Sequence, residues 1–220
     1  MDSSLPVEVR GLGGSAVDVA AGGGHACARR ADGALACWGW DERGQLGDGT
    51  NTESPVPLEV SSLGSDVLAV DLGDGHSCAL RGDGTLSCWG WNRSYQIGDG
   101  TQSDRWLPVA VIDISQPIVQ SSLGSRHTCA RAADGSVYCW GFNGAGMVGV
   151  GDDSVYVEHP VSIARLGHDV AEVSLGNSYG CARKTDGSLW CWGHVRDSNS
   201  DLNSVSYTSS VPTRLMGPCP

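Results

Sequence analysis

Three features of this 220-residue sequence predict an all-β fold built from repeated four-stranded units. A 16-residue segment recurs four times, each copy sets an Asp-Gly pair between two strand-like runs, and no stretch carries a helical period. The segment GHACARRADGALACWG (Gly24–Gly39) returns as GHSCALRGDGTLSCWG (Gly75–Gly90), RHTCARAADGSVYCWG (Arg126–Gly141) and SYGCARKTDGSLWCWG (Ser178–Gly193). Trp38, Trp89, Trp140 and Trp192 mark the period at 51, 51 and 52 residues.

Each unit is expected to open on a half-buried strand. Val17, Val19 and Ala21 alternate with Asp18 and Ala20, and Leu68, Val70 and Leu72 alternate with Ala69 and Asp71. Gly22, Gly73, Gly124 and Gly176 then mark a turn, as where positive φ is required. The second and third strands flank Asp32-Gly33, Asp83-Gly84, Asp134-Gly135 and Asp186-Gly187, a hairpin signal. A glycine-rich loop follows, GQLGDGT (Gly44–Thr50), with a near copy at Gln96–Thr101. The fourth strand begins at the prolines, as in Pro55–Val60. Four short antiparallel strands per unit and a Trp-Gly signature predict a radial array, a β-propeller, with Trp38, Trp89, Trp140 and Trp192 buried between blades. The predicted division is a partial outer strand over 1–16, repeat one over 17–67, repeat two over 68–118, repeat three over 119–170, and repeat four with a partial outer strand over 171–220.

The pattern G-H-x-C-A-x-x-x-D-G-x-x-x-C-W-G, then G-Q-x-G-D-G-T, resembles the regulator-of-chromosome-condensation repeat, in a cysteine-paired variant of bacterial type. The resemblance implies a propeller, of seven blades in that family. About four blades are expected here, as an open arc or a fragment of a seven-bladed ring. Pro6–Val9 and Val211–Leu215 both match outer strands, as if cut from a longer array. The last two repeats decay: Val150 replaces the loop Asp, and Ser198–Asp201 no longer resembles GQLGDGT.

Eight of the nine cysteines fall as C-x9-C: Cys27 with Cys37, Cys78 with Cys88, Cys129 with Cys139, and Cys181 with Cys191. Short C-x2-C zinc knuckles are absent. A three-residue hairpin loop, Ala31-Asp32-Gly33 with Gly33 left-handed, sets Arg30 opposite Ala34 and therefore Cys27 opposite Cys37 on one sheet face. A two-residue Asp-Gly turn would put the sulfurs on opposite faces. Directly opposed strand residues lie near disulfide separation. The alternative is buried free thiols; four recurrences favour disulfides. Disulfides point to an oxidising compartment, hence an extracellular or cell-surface protein, although no signal peptide is visible in the chain. Cys219 is the odd one and is expected to pair with material outside this chain.

One Lys (Lys184) and 13 Arg against 25 acids give a net charge of −11, which disfavours nucleic acid and anionic membrane. No run approaches 18 apolar residues, so membrane insertion is not expected. His25, His76 and His127 share one repeat position that Tyr179 takes in the fourth, and such positions are expected to lie far apart, one per blade. A structural hydrogen-bonding role follows, with no metal site. The aspartates, Asp48 and Asp99 included, lack D-x-D-x-D-G spacing and are expected to be turn residues. There is no phosphate loop and no G-x-S-x-G elbow, so neither a cofactor nor an enzyme is expected. Asn92-Arg93-Ser94 has the form of a glycosylation sequon.

The expected function is a non-catalytic, extracytoplasmic module that binds a protein partner through its loops. The alternative that the resemblance implies is nucleotide exchange on a small GTPase. The candidate binding residues follow each key Trp: Trp40, Asp41, Glu42 and Arg43; Trp91, Asn92, Arg93 and Tyr95; Phe142 and Asn143. His194 begins the fourth such segment, which runs on through Val195-Arg196-Asp197. An aromatic residue beside a variable polar loop suits an interface, because Trp, Tyr and Arg dominate interface energies. The competing expectation is that these rings only pack against the next blade.

Overall fold

A computed structural model of the protein describes residues 5–195 and 207–215. The first sheet comprises β1 (Ala16–Ala21), β2 (His25–Arg30), β3 (Leu35–Gly39) and β4 (Ser54–Glu59). The second comprises β5 (Val67–Leu72), β6 (His76–Arg81), β7 (Leu86–Gly90) and β8 (Arg105–Ala110). The third comprises β9 (Ile118–Leu123), β10 (His127–Ala132), β11 (Val137–Phe142) and β12 (Tyr156–Ser162). The fourth comprises β13 (Val170–Leu175), β14 (Tyr179–Lys184), β15 (Leu189–Val195) and β16 (Tyr207–Arg214). Each sheet is an antiparallel meander in chain order. The helices among the described residues are single 3₁₀ turns, none across a Trp-Gly pair.

The hairpin has the three-residue loop. Arg30 N–H donates to Ala34 O at 2.8 Å and Gly33 N–H to Arg30 O at 3.0 Å, with Gly33 at φ +85°. Cys27 therefore pairs in register with Cys37 across β2 and β3, and Cys78 with Cys88 across β6 and β7. Cys129 pairs with Cys139 across β10 and β11, and Cys181 with Cys191 across β14 and β15. All four pairs are disulfides: Cys27 to Cys37, Cys78 to Cys88, Cys129 to Cys139 and Cys181 to Cys191. Their Cα separations of 4.0 to 4.1 Å are those of the closely spaced kind of antiparallel pair. Free thiols are thus ruled out at these eight positions. Cys219 lies outside the described residues.

Consecutive sheets stack through their first strands, β1 on β5, β5 on β9 and β9 on β13. No contact of comparable extent joins β13 back to β1, so the described chain is an open arc. Gly22, Gly73, Gly124 and Gly176 do not have the positive φ expected of them. Close approach requires the first three instead: a Cβ would stand 2.3 Å from Gly73 O at Gly22, 2.5 Å from Gly124 O at Gly73 and 2.8 Å from Gly176 O at Gly124. At Gly176 it would meet the Tyr179 ring at 2.5 Å.

The glycine-rich loop of each repeat plugs into the next blade. Gln45 O accepts the Trp89 indole N–H and the Ser77 hydroxyl, and Gln96 O likewise accepts from Trp140 and Thr128. Met147 O accepts from Trp192. Gly47, Gly98 and Gly149 lie flat on those indoles, where a Cβ would come within 2.6 to 2.7 Å. Trp89, Trp140 and Trp192 are fully buried, but Trp38 is only half-buried, which corrects the expectation for the first repeat. Among the described residues no glycine-rich loop of a preceding repeat covers it. The same uncovered side explains β1, where Val17 and Val19 are exposed and Ala20 packs inward. Pro6–Val9 form no strand, since every third strand already carries a fourth.

Candidate functional site

Gly39, Gly90, Gly141 and Gly193 lie at or near the ends of the third strands with φ between +85° and +109°. A Cβ there would strike the carbonyl oxygen of Gly24, Gly75, Arg126 or Ser178 at 2.5 to 2.7 Å. The following residue donates its backbone N–H to that same oxygen: Trp40 to Gly24, Trp91 to Gly75, Phe142 to Arg126 and His194 to Ser178. One bond repeated four times sets four aromatic side chains at equivalent places on one face of the arc. Trp40 is 37 % exposed, and Trp91, Phe142 and His194 are half-buried.

Trp40 and Trp91 face a shallow hollow of about 290 Å³ between the first two blades, with Arg43, Asp74 and Gly75 completing its wall. That volume sits at the lower limit of small-molecule pockets and suits one inserted side chain of a larger partner. The two indoles lie against the Gly24 and Gly75 backbone, their nearest ring atoms 3.5 Å from where a Cβ would be. The Trp91 Nε1 is buried with no hydrogen-bond partner. Arg43 reaches across to Asp104 at 3.5 Å, and Glu42 and Arg93 are exposed. The third blade differs: Arg126 stands where the first two repeats have Gly24 and Gly75, and its guanidinium lies 4.3 Å from the Phe142 ring centroid. Tyr156 stands 5.8 Å from Phe142 and 5.9 Å from Tyr95, joining the two blades. His194 borders a hollow with Asn177, Ser178 and Tyr179, and the rest of its segment lies at the limit of the described residues or beyond.

Asp41, Asn92 and Asn143 are buried, which corrects their assignment to a partner-facing surface. They bind their own loops. Asn92 Oδ1 accepts Ile97 N–H at 3.0 Å, and Asn143 Oδ1 accepts Val148 N–H at 3.1 Å. Asp41 Oδ1 accepts Leu46 N–H at 2.8 Å. Burial lifts the Asp41 carboxyl to about 6, with the charge of Asp48 adding to the rise and the Leu46 and Thr52 amides opposing it.

The histidines stand one per blade, as their spacing suggests, and two of them bond across to the next sheet. His25 Nε2 meets Ser77 Oγ at 2.8 Å and His76 Nε2 meets Thr128 Oγ1 at 2.9 Å, each across to the next sheet. Ser77 and Thr128 spend their hydroxyl protons on the Gln45 and Gln96 carbonyls, so each histidine donates from Nε2. Gly180 stands where a hydroxyl would meet His127, and both ring nitrogens of His127 lack a partner. Burial lowers His25 to about 4, His76 to about 3 and His127 to about 4; the other two histidines add to the fall at His76.

Three residues of this face escaped the sequence reading: Asp74, Arg126 and Tyr156. A signal existed for the first two. The dipeptide ahead of the histidine position varies from Gly23-Gly24 through Asp74-Gly75 and Ser125-Arg126 to Asn177-Ser178. Tyr156 had none, since its strand reaches the face only through pairing with β11.

The regulator of chromosome condensation (RCC1) repeat matches residues 32–80, 83–131 and 134–183, and a second description of that repeat matches 16–45, 67–96, 118–146 and 170–200. The chain is 34 % identical over 206 residues to the ultraviolet-B receptor UVR8 of Arabidopsis thaliana, covering 91 % of this chain and 46 % of the receptor. It is 30 % identical over 207 residues to the mitochondrial RCC1 domain-containing protein RUG3 of Arabidopsis thaliana, covering 90 % and 46 %. The chain thus spans about half the length of these curated relatives. Among solved structures, Prp20p of Saccharomyces cerevisiae superposes with a TM-score of 0.84 at 20 % identity, over 97 % of this chain and 53 % of that one. Human WBSCR16 gives 0.83 at 22 % identity, over 96 % and 56 %. Identities this low speak for the fold alone.

Proposed function

The chain belongs to the RCC1 repeat family, and on that premise we propose that it is a non-catalytic, extracytoplasmic module that binds a protein partner across the face bearing Trp40, Trp91 and Phe142. One observation carries this reading: two tryptophans border an open hollow beside a guanidinium, and Trp40 is left exposed there. Trp and Arg around a small concave patch are the residues on which interface energy concentrates. If packing against the next blade were their whole role, Trp40 would be sealed as Trp89 is; it is 37 % exposed against 0 %. Four disulfides support an oxidising compartment. A net charge of −11 favours a partner with a basic rim, which would raise the association rate and make it salt-sensitive. Nucleotide exchange is the rival. The solved Prp20p is described with binding to Gsp1p and histones, but at 20 % identity that likeness supports the scaffold and not the activity.

The test is a photo-crosslinker at Glu42, used on a secreted-protein fraction to identify the partner, followed by titration of variants. Trp40→Ala and Trp91→Ala are each expected to weaken binding by about 2 kcal/mol, roughly thirtyfold. Unchanged affinity in both variants rejects the face, and a small GTPase as the captured partner supports the rival.

A further inference from the structure

The loop after the third strand is built alike in the first three repeats, and in the second and third an asparagine side chain closes it. Asn92 Nδ2 donates to Asp99 Oδ1 at 3.0 Å, Thr101 O at 2.8 Å and Ser103 O at 3.1 Å. Asn143 Nδ2 donates to Asp152 Oδ1 at 3.1 Å and to Ser154 O at 3.0 Å. The second repeat adds a positive group, Arg105 Nε at 2.6 Å from Asp99.

The first repeat keeps this frame and loses both donors. Leu46 N–H still binds the side chain at 2.8 Å, and Thr50 N–H and Oγ1 still bind Asp48 Oδ1 at 2.8 and 2.9 Å, as Thr101 binds Asp99. In register, however, Asp41 replaces Asn92 and Ser54 replaces Arg105. Asp41 is 0 % exposed and its Oδ2, at the place of the Asn92 amide nitrogen, has no hydrogen-bond partner. Among the described residues neither Asp41 nor Asp48 has an ion-pair partner. An oxygen thus replaces a donor, close to the Asp48 carboxylate, and the donors on this carboxyl group are the Leu46 and Thr52 amides. A buried charged oxygen left so is costly, and only a proton or a cation offsets it. A proton answers one acceptor; a metal ion answers all of them.

We propose that this loop holds a hard divalent cation of the calcium class, ligated by the Asp41 and Asp48 carboxylates and the Thr50 and Thr52 carbonyl oxygens, where the second repeat has an amide group. Oxygen ligands with waters completing the shell are what calcium takes, and the exposed Gly49 and Thr50 leave room for those waters. Two of the ligands being backbone explains why no calcium motif is visible in the sequence. Two carboxylates give modest affinity, about 10⁻⁴ to 10⁻³ M, the range of extracellular modules.

The experiment is thermal unfolding of the wild type and Asp41→Asn in millimolar calcium chloride and in chelator, with calorimetric titration of calcium into the wild type and Asp48→Asn. Calcium is expected to raise the wild-type midpoint by several degrees and to leave Asp41→Asn unmoved. That variant, which regains the amide, should match the calcium-loaded wild type even in chelator. Asp48→Asn should lose calorimetric binding at least tenfold. A wild-type midpoint identical in calcium and chelator overturns the proposal. So does a calcium response retained in Asp41→Asn, and an inert calcium with a stabilised Asp41→Asn assigns the place to a proton.

Discussion

Trp89 and Trp91 stand on either side of Gly90, yet one is sealed in a seam and the other borders an open hollow. Trp89 has its indole N–H on Gln45 O and Gly47 against its ring; Trp91 keeps a buried N–H with no partner. Trp38 with Trp40, and Trp140 with Phe142, repeat this division, the seam being incomplete only at Trp38. The first residue of each pair joins repeats, because a lone blade cannot bury its own faces. The second stands beside a loop whose sequence differs from repeat to repeat.

Acid gives the largest effect and strikes the sealed side. His25, His76 and His127 sit at about 4, 3 and 4 when folded, against an ordinary 6.5. Between those values the unfolded chain binds protons that the folded chain refuses, so stability falls as pH falls from about 6.5 towards 4. Each histidine contributes on the order of 3 kcal/mol to that loss. Denaturant midpoints measured across this range should drop steadily, and a flat profile would show the histidines to be accessible to protons.

Next comes the covalent layer beneath the seams. Replacing Cys78 and Cys88 together by alanine opens a short loop, and unfolding is expected to become easier by about 2–3 kcal/mol. The same loss is expected for Cys129 and Cys139 replaced together, since the hairpin is the same. Non-reducing peptide mapping of the parent should recover four linked pairs, each spanning ten residues, from Cys27 with Cys37 to Cys181 with Cys191. Scrambled pairs would undo the hairpin register. A smaller loss, about 1–2 kcal/mol, is expected for Trp38→Ala, whose ring lacks a covering loop. A Trp38→Ala loss as large as that of a sealed Trp→Ala would mean that the first blade is covered after all.

The repeat, the four strands, the three-residue hairpin and the cysteine register were legible because each rests on spacing along the chain. What spacing cannot convey is which neighbour fills a face. Val17 and Val19 alternate as a buried face should, but the partner blade lies on the side of Ala20. Gly22 and Gly73 signal a turn by composition, while their cause is a carbonyl from the adjacent blade. At the site, the aromatic positions were legible as a repeat with variable flanks. Asp41, Asn92 and Asn143 read as surface because a polar residue in a variable loop carries no mark of the backbone groups it binds.

The division between seam and face is tested most directly by urea unfolding of Trp89→Ala and Trp40→Ala side by side. Trp89→Ala leaves a cavity and two orphaned contacts, and should lose about 4 kcal/mol. Trp40→Ala should lose less than about 1 kcal/mol, its ring being partly in solvent already. Equal losses would contradict the account, because Trp40 would then be part of the scaffold rather than of a surface left open for a partner.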